Sequence, residues 1–171
     1  MNASTKNPKA PPAGRELIFE RLFDAPRALV FKAWTDPKMV AAWWGPRHFT
    51  NPLCELDARP GGKILIHMQG PDGAIYPMTG EYREIREPEK IVFFSAVPDG
   101  KGGTSFGILT TALFAERGDK TALPLKTQVL KETPAAAPML AGTLEGWNQS
   151  LDKLAGYAAA QAGALVIERT Y

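Results

Sequence analysis

The chain has 171 residues and a mass of 18.6 kDa, enough for one ordinary domain and too little for two. Hydrophobic residues make up 44% and charged residues 22%, which excludes fibrous, collagen-like and wholly disordered chains. Lysine and arginine number 20 against 18 acidic residues and are spread along the chain, so nothing marks a nucleic-acid binder.

Residues 1–14 hold Lys6, Lys9 and three prolines but no apolar run of the kind a secretory signal needs, and read as a flexible leader. From Arg15, alternation through Leu17, Phe19 and Phe23 predicts a first strand, which Asp24-Ala25-Pro26 stops. The same step offers Asp24 as a helix cap, and Ala28–Trp34 then reads as a short helix. Asp36-Pro37 repeats the signal, predicting a second short helix over Lys38–Trp44 that Gly45-Pro46 ends.

From Leu53 to Val129 turn clusters separate strand-length runs, the punctuation of an antiparallel meander. Strands are expected near 53–57, 63–69, 75–85, 90–97, 105–115 and 121–130, seven with the first. In the third, Ile64, Ile66 and Met68 share one face and Lys63, Leu65 and His67 the other, because side chains alternate across a sheet. The last element is the clearest helix: Leu140, Leu144, Trp147, Leu151, Leu154 and Ala158 recur at helical spacing with polar residues between them. That stripe needs an apolar surface to cover, and the sheet supplies it. Gly163 reads as a helix stop, and Ala164–Ile167 as a frayed end or a short strand on a sheet edge, its own or that of a second copy.

The expected fold is therefore α+β, with a seven-stranded curved antiparallel sheet around a long C-terminal helix and two short helices between strands 1 and 2. Its expected divisions are a leader (1–14), a domain (15–160) and a tail (161–171). The Asp24-Ala25-Pro26 turn, Ala33–Pro37, Trp43-Trp44-Gly45-Pro46, Asp57–Gly62, Pro71-Asp72-Gly73 and the late Gly146-Trp147 before Leu151 and Leu154, in that order, resemble the heat-shock-protein ATPase activator homologue family. That family lies in the START-like helix-grip superfamily, also called SRPBCC. The resemblance, over roughly Arg15 to Ala160, implies a sheet that wraps the last helix and often leaves a cavity. Superfamily relatives are lipid carriers, hormone binders, polyketide cyclases and a co-chaperone domain. The co-chaperone's additional N-terminal domain is not expected here, so that role is not the leading expectation.

Candidate chemistry is sparse. Gly103-Thr104-Ser105-Phe106-Gly107 fits a nucleophile-elbow pattern, but a strand-like run follows the serine where the elbow needs a helix. Cys54 and His67 fall on adjacent expected strands without a third group to orient them, and a lone cysteine more commonly packs as a small hydrophobe. His48 is placed at the rim of the grip. Glu55 and Asp57 read as a solvated pair or a turn contact. Asn148-Gln149-Ser150 falls on a helix and carries no weight as a glycosylation site. Two histidines, one cysteine and scattered carboxylates offer no metal set, so neither metal nor cofactor is expected. A single cysteine allows no internal disulfide, and no run reaches the roughly twenty apolar residues of a membrane span. The expected compartment is the cytoplasm.

Aromatic and thioether placement says more. All four tryptophans fall on expected helices, and strands facing them carry Met68, Tyr76, Met78, Tyr82, Phe93 and Phe94, with parity leaving open which of Phe93 and Phe94 points inward. Trp44, Met68, Met78, Tyr82, Phe94, Trp147 and Leu151 are the expected pocket residues, with Trp44, Tyr82 and Trp147 favoured for their polar tips. The leading reading is binding of a small hydrophobic or amphipathic molecule in a cavity of roughly 300 Å³ or more. The alternatives are a co-chaperone-like interaction module and a cyclase-like or hydrolytic enzyme. Expected partners are the small molecule and a second copy of the chain.

Overall fold

A computed structural model describes residues 16–98, 104–132 and 137–170, with side chains given except at 97–106, 131–144 and 164–170. Strand β1 (Glu16–Phe23) leads into α1 (Arg27–Thr35) and α2 (Pro37–Trp43). Seven strands follow: β2 (Thr50–Leu56), β3 (Lys63–Gln69), β4 (Ile75–Arg86), β5 (Lys90–Pro98), β6 (Thr104–Leu113), β7 (Ala115–Arg117) and β8 (Lys120–Glu132). Helix α3 (Ala137–Thr170) comes last. The leader (1–14) and the core of the expected turn at 98–103 lie outside the described residues.

The two short helices start differently. Asp36 caps α2 as expected, its carboxylate accepting from the Lys38 and Met39 amides at 2.9 and 3.3 Å, with Pro37 in the first turn. Asp24 does not cap α1: the cap is Pro26, with no side-chain bond, and its carbonyl accepts from the Leu29 and Val30 amides. Buried Ala25 separates Asp24 from the helix, and its carbonyl is held instead by the Thr121 hydroxyl at 2.7 Å.

Among the described residues the strands form one antiparallel sheet in the order β1-β8-β6-β5-β4-β3-β2, with β7 paired to β8. The meander is as expected apart from one extra element. Phe114 is buried, its amide bonds to the Glu89 carbonyl at 2.8 Å, and the expected strand over 105–115 is thereby divided into β6 and β7. β2 starts earlier than expected because it is an edge strand, where Pro52 withdraws no needed ladder bond, and the register shifts between Thr50 and Leu53.

One face of the sheet is apolar and packs against the helices. Ile64, Ile66, Ile91, Phe93, Leu123 and Leu125 form one core with Val30 and Trp34 of α1, Trp43 of α2, and Leu151, Leu154 and Ala158 of α3. The expected helical stripe is thus the buried face of α3 where its side chains are described; Leu140 and Leu144 lie outside that range. The helix does not stop at Gly163. It continues to Thr170, so of the two alternatives for 164–167 the edge strand does not form. A glycine ends a helix by adopting positive φ, as Gly45 does after α2 and Gly163 does not. Among the described residues no helix is long and apolar enough to cross a membrane.

Candidate functional site

The tryptophans converge. Trp34 of α1 stacks on Trp147 of α3 at 6.0 Å and 16°, and lies 5.0 Å from Trp43 of α2. Trp44, which follows α2, meets Trp43 at 5.5 Å and Trp147 edge-on at 5.6 Å. Phe93 of β5 closes the cluster from the sheet, 6.3 Å from Trp34 and 6.1 Å from Trp44. Such tilted and edge-on contacts suit the ring quadrupoles and add to plain area burial.

A small apolar cavity lies beneath this cluster. Trp34, Val40 and Trp44 form its helical side; Leu56, Ile64 and Ile66 its floor on β2 and β3; Met78, Tyr82, Ile91 and Phe93 the β4 and β5 wall. Its volume is about 20 Å³, room for about one water molecule. The expected cavity of roughly 300 Å³ is therefore not open in this conformation. The rings fill it.

Of the expected pocket residues, Trp44, Met78 and Tyr82 line the cavity. Trp147 stands behind the wall, against Trp34 and Trp44. Met68 packs toward Gly45, its Sδ 3.5 Å from where a Cβ would stand, and Leu151 is fully buried in the core beneath α3. Phe94 is on the wrong face. Strand alternation puts Phe93 inward, 3% exposed, and turns Phe94 outward, where its ring covers Gly107 and lies 5.3 Å beneath the Arg83 guanidinium. Ile91 and Phe93, like Val92 and Phe94, are apolar, so hydrophobic alternation in β5 could not tell the faces apart. Trp34, Val40, Leu56, Ile64, Ile66 and Ile91 were also missing from the expected set. The 3.6-residue spacing from the core positions Val30 and Phe31 to Trp34 was the available signal.

The segment carrying Trp44 is pinned by α3. Lys153 Nζ donates to the carbonyls of Trp44, Gly45 and Pro46, each at 3.3 Å, and of Phe49 at 3.4 Å. Burial lowers the lysine pKa while these four oxygens hold the cation. The Ser150 hydroxyl donates to the Gly45 carbonyl at 2.9 Å, and the Arg47 amide to the Gln149 side chain at 2.8 Å. From the strand side, Asn51 Nδ2 reaches the carbonyls of Ala41 and Trp44 at 3.0 and 2.9 Å. His48 lies in this segment with φ of 70°, exposed to solvent.

Cys54 and His67 do not meet. Cys54 is paired with Ile66 and shares its inward face, whereas His67 is paired with Leu53 on the other. Burial, with Asp36 adding to it, pushes the Cys54 thiol up to about 11. At pH 8 the thiol is then almost wholly protonated, which disfavours a nucleophilic role. Labelling with a disulfide reagent at pH 8 is expected to run roughly a hundredfold slower in the folded protein than in urea, and to keep rising up to about pH 11. Equal rates in both states would remove this assignment. Burial likewise raises the Tyr82 pKa, with Cys54 and Asp57 adding to it, so its hydroxyl stays protonated.

Ser105 lies within β6, with no helix after it, so no nucleophile elbow exists. Asp57 accepts from Arg59 Nε at 2.8 Å, a turn contact. Among the described residues no group of three histidine, cysteine or carboxylate side chains is placed to hold a metal.

The sequence profile of the family described as "Activator of Hsp90 ATPase homolog 1-like protein" matches residues 24–159. The chain belongs to that family. Family members and other solved structures share its fold. The AHSA1 protein from Silicibacter pomeroyi is 24% identical with a TM-score of 0.73, over 86% of this chain and 99% of that one. A protein from Chromobacterium violaceum is 25% identical with a TM-score of 0.71, over 84% and 97%. One from Arthrobacter aurescens is 20% identical with a TM-score of 0.75, over 86% and 87%. No functionally curated protein matches the chain.

Proposed function

We propose that this family member binds a small, mainly apolar molecule between the sheet and its helices, and that the molecule gains access when the 44–49 segment swings Trp44 outward. The observation that carries this reading is the convergence of apolar side chains from α1, α2 and four strands on one void, with half-buried Trp44 at its margin. Sites for small molecules have this chemistry, apolar walls with a few polar groups, at volumes of roughly 300 Å³ and above. The described conformation is the closed form. Displacing one indole supplies space, and the carbonyl contacts of Lys153 set how readily the segment releases.

A competing enzyme reading finds less support, because Tyr82 is the one ionisable group in the wall and burial keeps it neutral. An interaction module would use the outer sheet face, where Ile18, Leu22, Leu113 and Leu130 are exposed. Glu16, Glu20 and Lys126 interleave with them there.

Native mass spectrometry of the protein purified gently from its own source tests the proposal. The expected spectrum shows a small-molecule adduct that leaves on denaturation. Added α-methylstyrene is expected to shift amide resonances of the cavity wall, and Lys153→Met to speed its exchange. A bare polypeptide mass together with no probe-induced shift would sink the reading.

A further inference from the structure

We infer that the molecule held in the grip is neutral and apolar and carries a hydrogen-bond acceptor, and that the indole N–H of Trp34 recognises that acceptor. The inference rests on the binding reading above and names the ligand class. Trp34 is 4% exposed and belongs to the cavity wall, yet its Nε1 has no hydrogen-bond partner. Its neighbour Trp43, equally buried, engages its own Nε1 with the Ala33 carbonyl at 2.8 Å. The Asn51 Oδ1 and Thr110 Oγ1 atoms are also buried without partners, but neither residue lines the cavity.

A buried donor left unanswered costs about 1–3 kcal/mol, so native proteins retain one where something else supplies the acceptor. Water is a poor candidate. Among the side chains of the wall it could use only the Trp34 N–H and the Tyr82 hydroxyl, the low end of the two to four partners a buried water uses. An ionised ligand group suits the site less still, because the wall holds no basic side chain and burying an unpaired charge is expensive. A ketone, ester or ether oxygen fits. It accepts from a neutral donor and loses little hydration.

Two probes of one shape separate the terms: acetophenone, and α-methylstyrene, in which C=CH₂ replaces C=O. Their affinities for the wild type and for Trp34→Phe are read from amide shifts by NMR. The preference of the wild type for the ketone over the alkene is expected to fall about tenfold in the variant, the worth of one hydrogen bond in a dry site. In the wild type, the Trp34 indole N–H resonance should move with acetophenone and stay near its place with α-methylstyrene. That readout stands even if the variant folds poorly. If both probes bind and the preference survives in Trp34→Phe, or the indole resonance ignores the ketone, the inference is overturned and the binding reading stands. If neither probe shifts any wild-type resonance, the inference is overturned, and a bare native mass as well sinks the binding reading with it.

Discussion

Trp43→Ala is expected to destabilise the domain by about 3–5 kcal/mol, the range for removing a large buried aromatic side chain. Trp43 is wholly buried and lies at the junction of both short helices. Two losses combine. The cavity left by an indole cannot close fully, because Trp34 and Trp44, at 5.0 and 5.5 Å from it, are themselves large rings held by Trp147. The Ala33 carbonyl, one of the last in α1 and so without a partner inside that helix, loses the Trp43 N–H that answers it. For a chain of this size each kcal/mol moves the melting temperature by about 2–4 °C, so thermal unfolding should shift by roughly 10 °C. Trp43→Phe keeps most of the ring and is expected to lose about 1–3 kcal/mol through the unanswered carbonyl. A shift of under about 1 kcal/mol for the alanine variant would mean that the helix junction is not packed as described.

Gly62→Ala is expected to be the most damaging of the small substitutions, at about 3 kcal/mol or more. A Cβ there would stand 1.7 Å from the Asp57 carbonyl oxygen and 2.9 Å from that of Arg59. Both obstacles are backbone, so no side chain can turn aside. The turn is also tied to β4, since Gly61 donates to the Tyr82 carbonyl at 2.8 Å and Tyr82 donates to the Gly62 carbonyl at 2.9 Å. Rebuilding the turn therefore moves a cavity wall as well as a loop. The neighbouring Gly61 provides the control. It has φ of 82° with open space around it, so Gly61→Ala should cost only the left-handed strain of about 1–2 kcal/mol. Urea unfolding of the two variants should rank Gly62 well above Gly61; the reverse order would discredit the clash.

Most of the fold was legible because its turns are written in glycine and proline and its last helix in a long apolar stripe. Both are local signals with a direct physical cause. The failures occur where tertiary partners decide. Phe93 and Phe94 are equally hydrophobic, and only Gly107 and Arg83 on the far face make a place for Phe94 outside. Gly163 carries no turn because nothing turns the chain there. The second strand was expected to begin at 53, and its place at the sheet edge lets it run back through Pro52 to Thr50. The site was half legible for the same reason. Residue type picked out Trp44, Met78 and Tyr82, but the cavity's near closure depends on how four indoles from three parts of the chain interlock.

The pairing of β1 with β8 has a kinetic consequence. Glu16 meets Gln128 and Phe23 meets Thr121, so the first strand waits about a hundred residues for its partner. A chain emerging from the ribosome can lay down the consecutive hairpins from β2 to β6 as they appear, while β1 stays undocked until β8 has been made. During that interval Phe19 and Phe23, which later join the core or pack against it, are exposed to every other nascent chain nearby. The sheet therefore closes last at the β1–β8 seam, whose formation depends on the two ends of the domain meeting.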